Sequence, residues 1–170
     1  AQRIFFYCIQ EVASMFDFFK DNSYVNSPCV GECFPLADVS DPVFSGKVMG
    51  DGVAFHLDSG EIYAPVNGQI IMVADTKHAI GIKAKNNAEI LIHVGLDTVN
   101  YGGQGFVSFV KAGDKIKKGQ LLLKIDMDFF KTKNVDMSVP MIITSPEYQL
   151  SEITYGKVTT AVNIFKLIKG

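Results

Sequence analysis

From Asn26 onward, short runs rich in Val, Ile and Phe alternate with Gly, Asn, Asp and Pro. The runs are Val43–Met49, Ile62–Tyr63, Gln69–Val73, Ala79–Lys83, Glu89–Val94, Phe106–Val110 and Leu121–Ile125. Apolar runs this short, with turn residues recurring between them, predict an all-β fold, an antiparallel sandwich or barrel, rather than helices. One short helix is predicted over Asp126–Lys131, where an Asp-rich start precedes Met127, Phe129 and Phe130. The first two dozen residues follow a different period. Ile4, Phe5, Ile9, Val12, Met15, Phe16 and Phe19 recur at three- and four-residue spacing, as on one face of an amphipathic helix. The expected organisation is an amino-terminal extension or linker over 1–24, packed on the domain or resting on a membrane surface, and one domain over 25–170.

Two of the strands carry a histidine each. His78 and His93 stand fifteen residues apart around Asn86-Asn87. Symmetric pairing about that dipeptide sets His78 opposite Gly95 and His93 opposite Ile80. The two rings then become diagonal neighbours on one face, with backbones roughly 6 to 8 Å apart. Gly95 leaves room over the position opposite His78. Strand alternation gives Ile90, Ile92 and Val94 to the opposite face as core residues, whereas Ile80 and Leu91 are expected beside His93, excluding water. A lone strand histidine is usually a satisfied core residue. Two on one face, in a chain with 3 His in all, point to chemistry: a metal pair, or a nucleophile with a hydrogen-bonding helper. His56 reads as a surface residue near a loop, and Asp51-Gly52 as a tight turn. Ala64–Ile70 and Val110–Leu121 read as turn-and-strand segments of structural purpose.

Composition narrows the partners. The 170 residues are 48% hydrophobic and 20% charged, enough for one well-buried core, and the formal charge is −2. No run of Lys or Arg forms a basic patch, so no nucleic acid is expected. Three Cys, at 8, 29 and 33, suit neither a disulfide framework nor a four-Cys zinc site, and fit a reducing, cytoplasmic setting. The apolar stretch Ile4–Ile9 is far shorter than the roughly 20 residues of a membrane span.

Five segments in order, Asp41-Pro42-Val43-Phe44-Ser45, Met49–Ala54, Ala64–Gly68, Thr76-Lys77-His78-Ala79 and Leu91–Val99, resemble the glucose-family enzyme IIA domain of the bacterial sugar phosphotransferase system. The likeness continues through Gly105-Phe106 and Gly113-Asp114 and covers roughly Asn26 to Lys169. It implies a barrel-sandwich of the duplicated hybrid motif type. It also implies a phosphoryl relay, in which the histidine-containing phosphocarrier protein donates to His93, and His93 passes the group to a Cys of the IIB domain of a membrane transporter. By the same resemblance His78 is the partner histidine, Thr76 the hydroxyl that orients it, Gly95 the carbonyl acceptor for His93, and Asp41 and Asp97 the rim. Val43, Phe44, Val48, Met49, Leu91 and Val99 are the expected docking surface, for a basic partner. No cofactor is required, although the His78–His93 pair could hold zinc, alone or with a partner's carboxylate. Permeases or metabolic enzymes are further expected partners of the unphosphorylated state, and the membrane enters only through the transporter.

Three other readings fit less well. Biotinyl and lipoyl carriers share the turn chemistry but need a modified Lys at a hairpin tip, and no Met-Lys-Met or Asp-Lys-Ala occurs. A zinc hydrolase of the lysostaphin kind needs a His-X-His pair, and the position two after His93 is Gly95. A purely regulatory binding module would use the same surface without the transfer.

Overall fold

The computed structural model describes residues 23–170. The amphipathic helix expected within 1–24 therefore falls almost wholly outside the described residues. Three antiparallel sheets form the fold. The largest has eight strands in the order β13 (Gly156–Val158), β2 (Gly31–Pro35), β3 (Asp51–Leu57), β11 (Val139–Ile143), β7 (Glu89–His93), β6 (Ala79–Ala84), β5 (Gly68–Val73), β9 (Lys115–Ile116). Two three-stranded sheets complete it: β1 (Tyr24–Asn26) with β14 (Asn163–Lys169) and β12 (Tyr148–Ser151), and β4 (Glu61–Tyr63) with β10 (Leu121–Ile125) and β8 (Phe106–Ser108). The all-β expectation holds, with helix confined to short pieces.

One face of the eight-stranded sheet forms the main core. Ile80, Ile82, Ile90, Ile92, Val53, Phe55 and Met141 lie there, all buried, with Leu122, Leu123, Phe130 and Phe165 packed from the other elements. The opposite face carries a second, smaller core of Leu36, Val39, Phe44, Ala54, Leu96 and Ile142. The segment that covers it departs from expectation. Val43–Met49 is not a strand: Pro42–Ser45 forms a single helical turn, α1, capped by the Asp41 carboxylate, which accepts the Val43 N–H at 2.8 Å. Pro at the first helical position and Asp as cap outweigh the β-branched composition. The expected helix after Asp126 is present as α2 (Met127–Thr132), with Asp126 accepting from Phe129 N at 2.9 Å.

The β6–β7 register also differs from symmetric pairing, by one residue. Ala79 faces His93 and Ile80 faces Ile92. The loop holds three residues, Lys85–Asn87, closed by Ala84 and Ala88, with Asn87 left-handed at φ 70°. Ile80 consequently lies on the core face and not beside His93. His56 is likewise a strand residue, within β3, its ring stacked 4.2 Å from that of Phe34.

Ile92 fixes the core side of the strand that carries His93. Replacing it by Ala should cost about 2–5 kcal/mol, measured as a shift of the urea midpoint at unchanged slope.

Candidate functional site: a histidine pair on the outer sheet face

Alternation along β7 sends Ile90 and Ile92 inward and Leu91 and His93 outward. The β7–β11 ladder stops at Ile92–Met141. The next residue on β11 is Pro140, which has no N–H to give, so the ladder is interrupted beside His93 and resumes in the bond from Gly95 N–H to the Ser138 carbonyl. His78 arrives by a different route. The observed register would put its side chain on the core face. His78 lies one residue before β6 begins, where strand alternation no longer applies, and Lys77 before it is left-handed at φ 59°. The His78 and His93 rings meet edge-on, with centroids 4.9 Å apart and planes at 74°. Thr76 Oγ1 lies 2.5 Å from His78 Nδ1, which turns Nε2 of that ring away from the Thr.

Gly95 stands at φ 73°, and a Cβ there would lie 2.5 Å from Thr98 Cγ2 and 2.9 Å from Met137 Sδ. The missing side chain thus makes room for Thr98 and Met137, not for His78. Thr98 is fully buried and its hydroxyl donates to the Val94 carbonyl at 2.6 Å. The loop is held from below by backbone bonds, Gly95 N–H to Ser138 O at 3.0 Å and Leu96 N–H to Asp136 O at 2.8 Å. The Asp136 carboxylate accepts from Ser138 N (2.9 Å), Ser138 Oγ (2.6 Å) and Ser40 Oγ (3.2 Å). It ties together the segments that carry Asp41, Gly95 and Pro140. Burial raises its pKa, but the hydrogen bonds from Ser138 and Ser40 outweigh this and hold the carboxyl below its ordinary range. No sequence motif marks Asp136; its Asp-Met-Ser spacing is the one local signal, an Asx turn.

His93 is held neutral. Burial first, then the neighbouring His78, pushes its pKa down from 6.5 to about 4, against smaller raising effects of the Gly95 backbone, Asp41 and Asp97. Burial also lowers that of His78. The Nδ1 atom of His93 is buried and lacks a well-aligned hydrogen bond; the Gly95 backbone is close enough to favour the protonated ring without completing one. Nε2 is then the nitrogen left to react. Both described thiols, Cys29 and Cys33, are buried and have pKa values pushed up to about 12 chiefly by burial, so neither is a nucleophile at neutral pH.

The remaining expected residues separate into two groups. Val43, Val48, Met49 and Val99 are exposed, at 43%, 75%, 42% and 48%. Phe44 and Leu91 are buried; Phe44 belongs to the second core and sets its ring 4.9 Å from that of His93. The fold adds Ile71 and Met72 to the exposed group, although both stand within an ordinary strand run of the sequence. A bulge between Ile70 and Met72 leaves both exposed, beside Gly81, where a Cβ would come within 3.3 Å of Ile71 Cγ1. A hollow of about 500 Å³ lies between Asp41, Asp97 and Asp136. No group of three or more His, Cys, Asp or Glu among the described residues could hold a metal ion. Two imidazoles are half of a tetrahedral zinc set, so zinc here would need donors from outside.

Residues 23–148 match the family described as phosphoenolpyruvate-dependent sugar phosphotransferase system, EIIA 1. This chain belongs to that family. It is 46% identical over 135 residues to the PTS system glucose-specific EIIA component of Oceanobacillus iheyensis, covering 79% of this chain and 81% of that one. It is also similar to the solved glucose permease IIA from Mycoplasma capricolum, with a TM-score of 0.81, 35% identity and coverage of 86% of this chain and 96% of the other. The EIIA protein is a phosphoryl carrier of the sugar phosphotransferase system, a phosphotransferase component, and works with other components of that system. The zinc hydrolase and the purely regulatory module find no support in these relationships. No helix among the described residues is long and apolar enough to cross a membrane.

Two predictions follow from the geometry. As pH falls below 6.5 the unfolded chain protonates His93 while the folded EIIA does not, so stability that is complete above 6.5 drains away down to about 4. The loss amounts to at most about 3 kcal/mol. Urea titrations from pH 7 to 4 should show His93→Gln spared that part of the decline. Gly95→Ala combines a left-handed backbone with two clashes, and should destabilise by about 2 kcal/mol or more, with ¹⁵N resonances of His93 displaced.

Proposed function

We propose that His93 is the phosphoryl acceptor of this EIIA, that the histidine-containing phosphocarrier protein is its donor, and that a Cys on the IIB domain of a glucose-type transporter is its acceptor. The observation that carries the reading is the 4.9 Å pairing of the two rings, with His93 neutral and only its Nε2 free to react. The lone pair of Nε2 attacks the donor's phosphorus. A new N–P bond forms as the donor's breaks, and the electron pair returns to the donor imidazole. In the second half, a IIB thiolate attacks the same phosphorus and the N–P pair stays on His93. Catalysis of this kind is positioning and charge stabilisation.

His78 and Thr76 supply the stabilisation. A Thr76 hydroxyl that donates to His78 Nδ1 leaves the His78 proton on Nε2, where it can bond the phosphoryl oxygens. Phe44, packed on the His93 ring, and the exposed Val43 and Met49 beside it keep water from the phosphoimidazole once a partner closes over them. Asp41 and Asp97 attract a cationic partner surface and repel the phosphoryl group, which favours handing it on. The transfer needs no metal. Residues 25–170 form the IIA domain in this reading, with 1–24 as an extension, and the protein acts in the cytoplasm.

Before phosphorylation the same apolar face would accept regulated permeases or metabolic enzymes, and the added charge would dismiss them. His93→Gln should abolish acceptance of label from phosphoenolpyruvate through enzyme I and the phosphocarrier. His78→Gln should still accept it but transfer to IIB should fall by about 10²-fold or more. The adduct should be acid-labile, base-stable and map to His93. Labelling of His93→Gln but not His78→Gln would reverse the two roles.

A further inference from the structure

At the opposite end of β5 and β6 from the histidines, the fold assembles a basic groove that no stretch of sequence displays. It has a volume of about 870 Å³, and no Asp or Glu is among the described residues that line it. Register explains how it forms. Gln69 pairs with Lys83 on β6 and with Lys115 on β9. One step further, Lys85 N–H bonds the Asn67 carbonyl at 3.1 Å, and the continuing β9 register sets Lys117 on the other side of Asn67. Residues two apart share a face. The result is a two-by-three array, Lys83–Gln69–Lys115 above Lys85–Asn67–Lys117, on the side away from the buried Ala84 and Ile116. Its lysine corners span about 10 Å across the strands and about 7 Å along them. None of the four lysines has an ion-pair partner among the described residues. Asn67 Oδ1 is occupied by the Lys118 N–H at 2.9 Å, which leaves its NH₂ as the group to present.

We propose that this array is a binding site for a small anion carrying two or more linked phosphate groups. The donor set contains four ammonium groups and an amide, with one acceptor in Gln69 Oε1, whose Nε2 donates to the Gly113 carbonyl at 3.0 Å. Glu89 faces Lys83 from β7, behind that wall and outside the lining, and the lysines on both sides of the amides suit an anion with negative charge at both ends better than a single phosphate. The concave shape and volume belong to the small-ligand class.

The probe is inorganic pyrophosphate, titrated into ¹⁵N-labelled protein at constant ionic strength, with orthophosphate and a polyglutamate peptide in parallel. Saturable shifts are expected at 67–69, 83–85 and 115–117, with pyrophosphate tighter than orthophosphate by about tenfold or more. Lys83→Gln and Lys117→Gln, on opposite walls, should each weaken it by a similar factor. Lys131→Gln, on α2, should not, and all three should still accept phosphate on His93. Non-saturating shifts, equal affinity for orthophosphate, or no loss in either groove variant would overturn the proposal. Tighter binding of the polyglutamate would overturn it in favour of an acidic protein segment.

Discussion

Burial of the isoleucine ladder between β6 and β7 is the constraint on which the rest depends. Ile80 against Ile92 and Ile82 against Ile90 give the sheet one dry face, and everything chemical is displaced to the other. The same pleat that hides Ile92 lifts His93 outward. A strand of five residues thus serves the core and the site at once, with no residue between the two duties.

The outer face is not left bare. The small second core under α1 supports Phe44, and Phe44 supports the His93 ring. Burial first, and then the charge repulsion a protonated ring would meet from His78, hold His93 neutral where a free histidine would be partly charged. The two rim carboxylates pull the other way and are outweighed. A neutral imidazole keeps a lone pair on one ring nitrogen, so in the proposed reading His93 would act without a general base.

Much of this was legible in the sequence, for reasons that differ by element. Turn residues between short apolar runs predicted the all-β fold, and the Asp126 cap predicted α2, because these signals are local. The inward Ile90, Ile92 and Val94 followed from period-two alternation. Val43–Met49 reads as a strand by composition, but a proline and an aspartate at its start override that over a single turn. The hairpin register differs by one because symmetric pairing about Asn86-Asn87 sets Ala84 against Glu89, whereas Ala84 closes on Ala88 across a three-residue loop. The rings still meet, because His78 lies outside β6 and is not bound by that strand's alternation. Asp136, the Ile71 bulge and the lysine array depend on contacts between segments far apart in the chain, which no single run could display.

The three-residue loop over Lys85–Asn87 has a consequence for how such a chain can vary. Ile90 and Ile92 are held in the core and β7 is paired on both sides, so a residue added or removed there is taken up within the loop and the two faces downstream stay as they are. Drift in length at this exposed tip is therefore uncoupled from the position of His93, while it would move Lys85 and with it one corner of the lysine array.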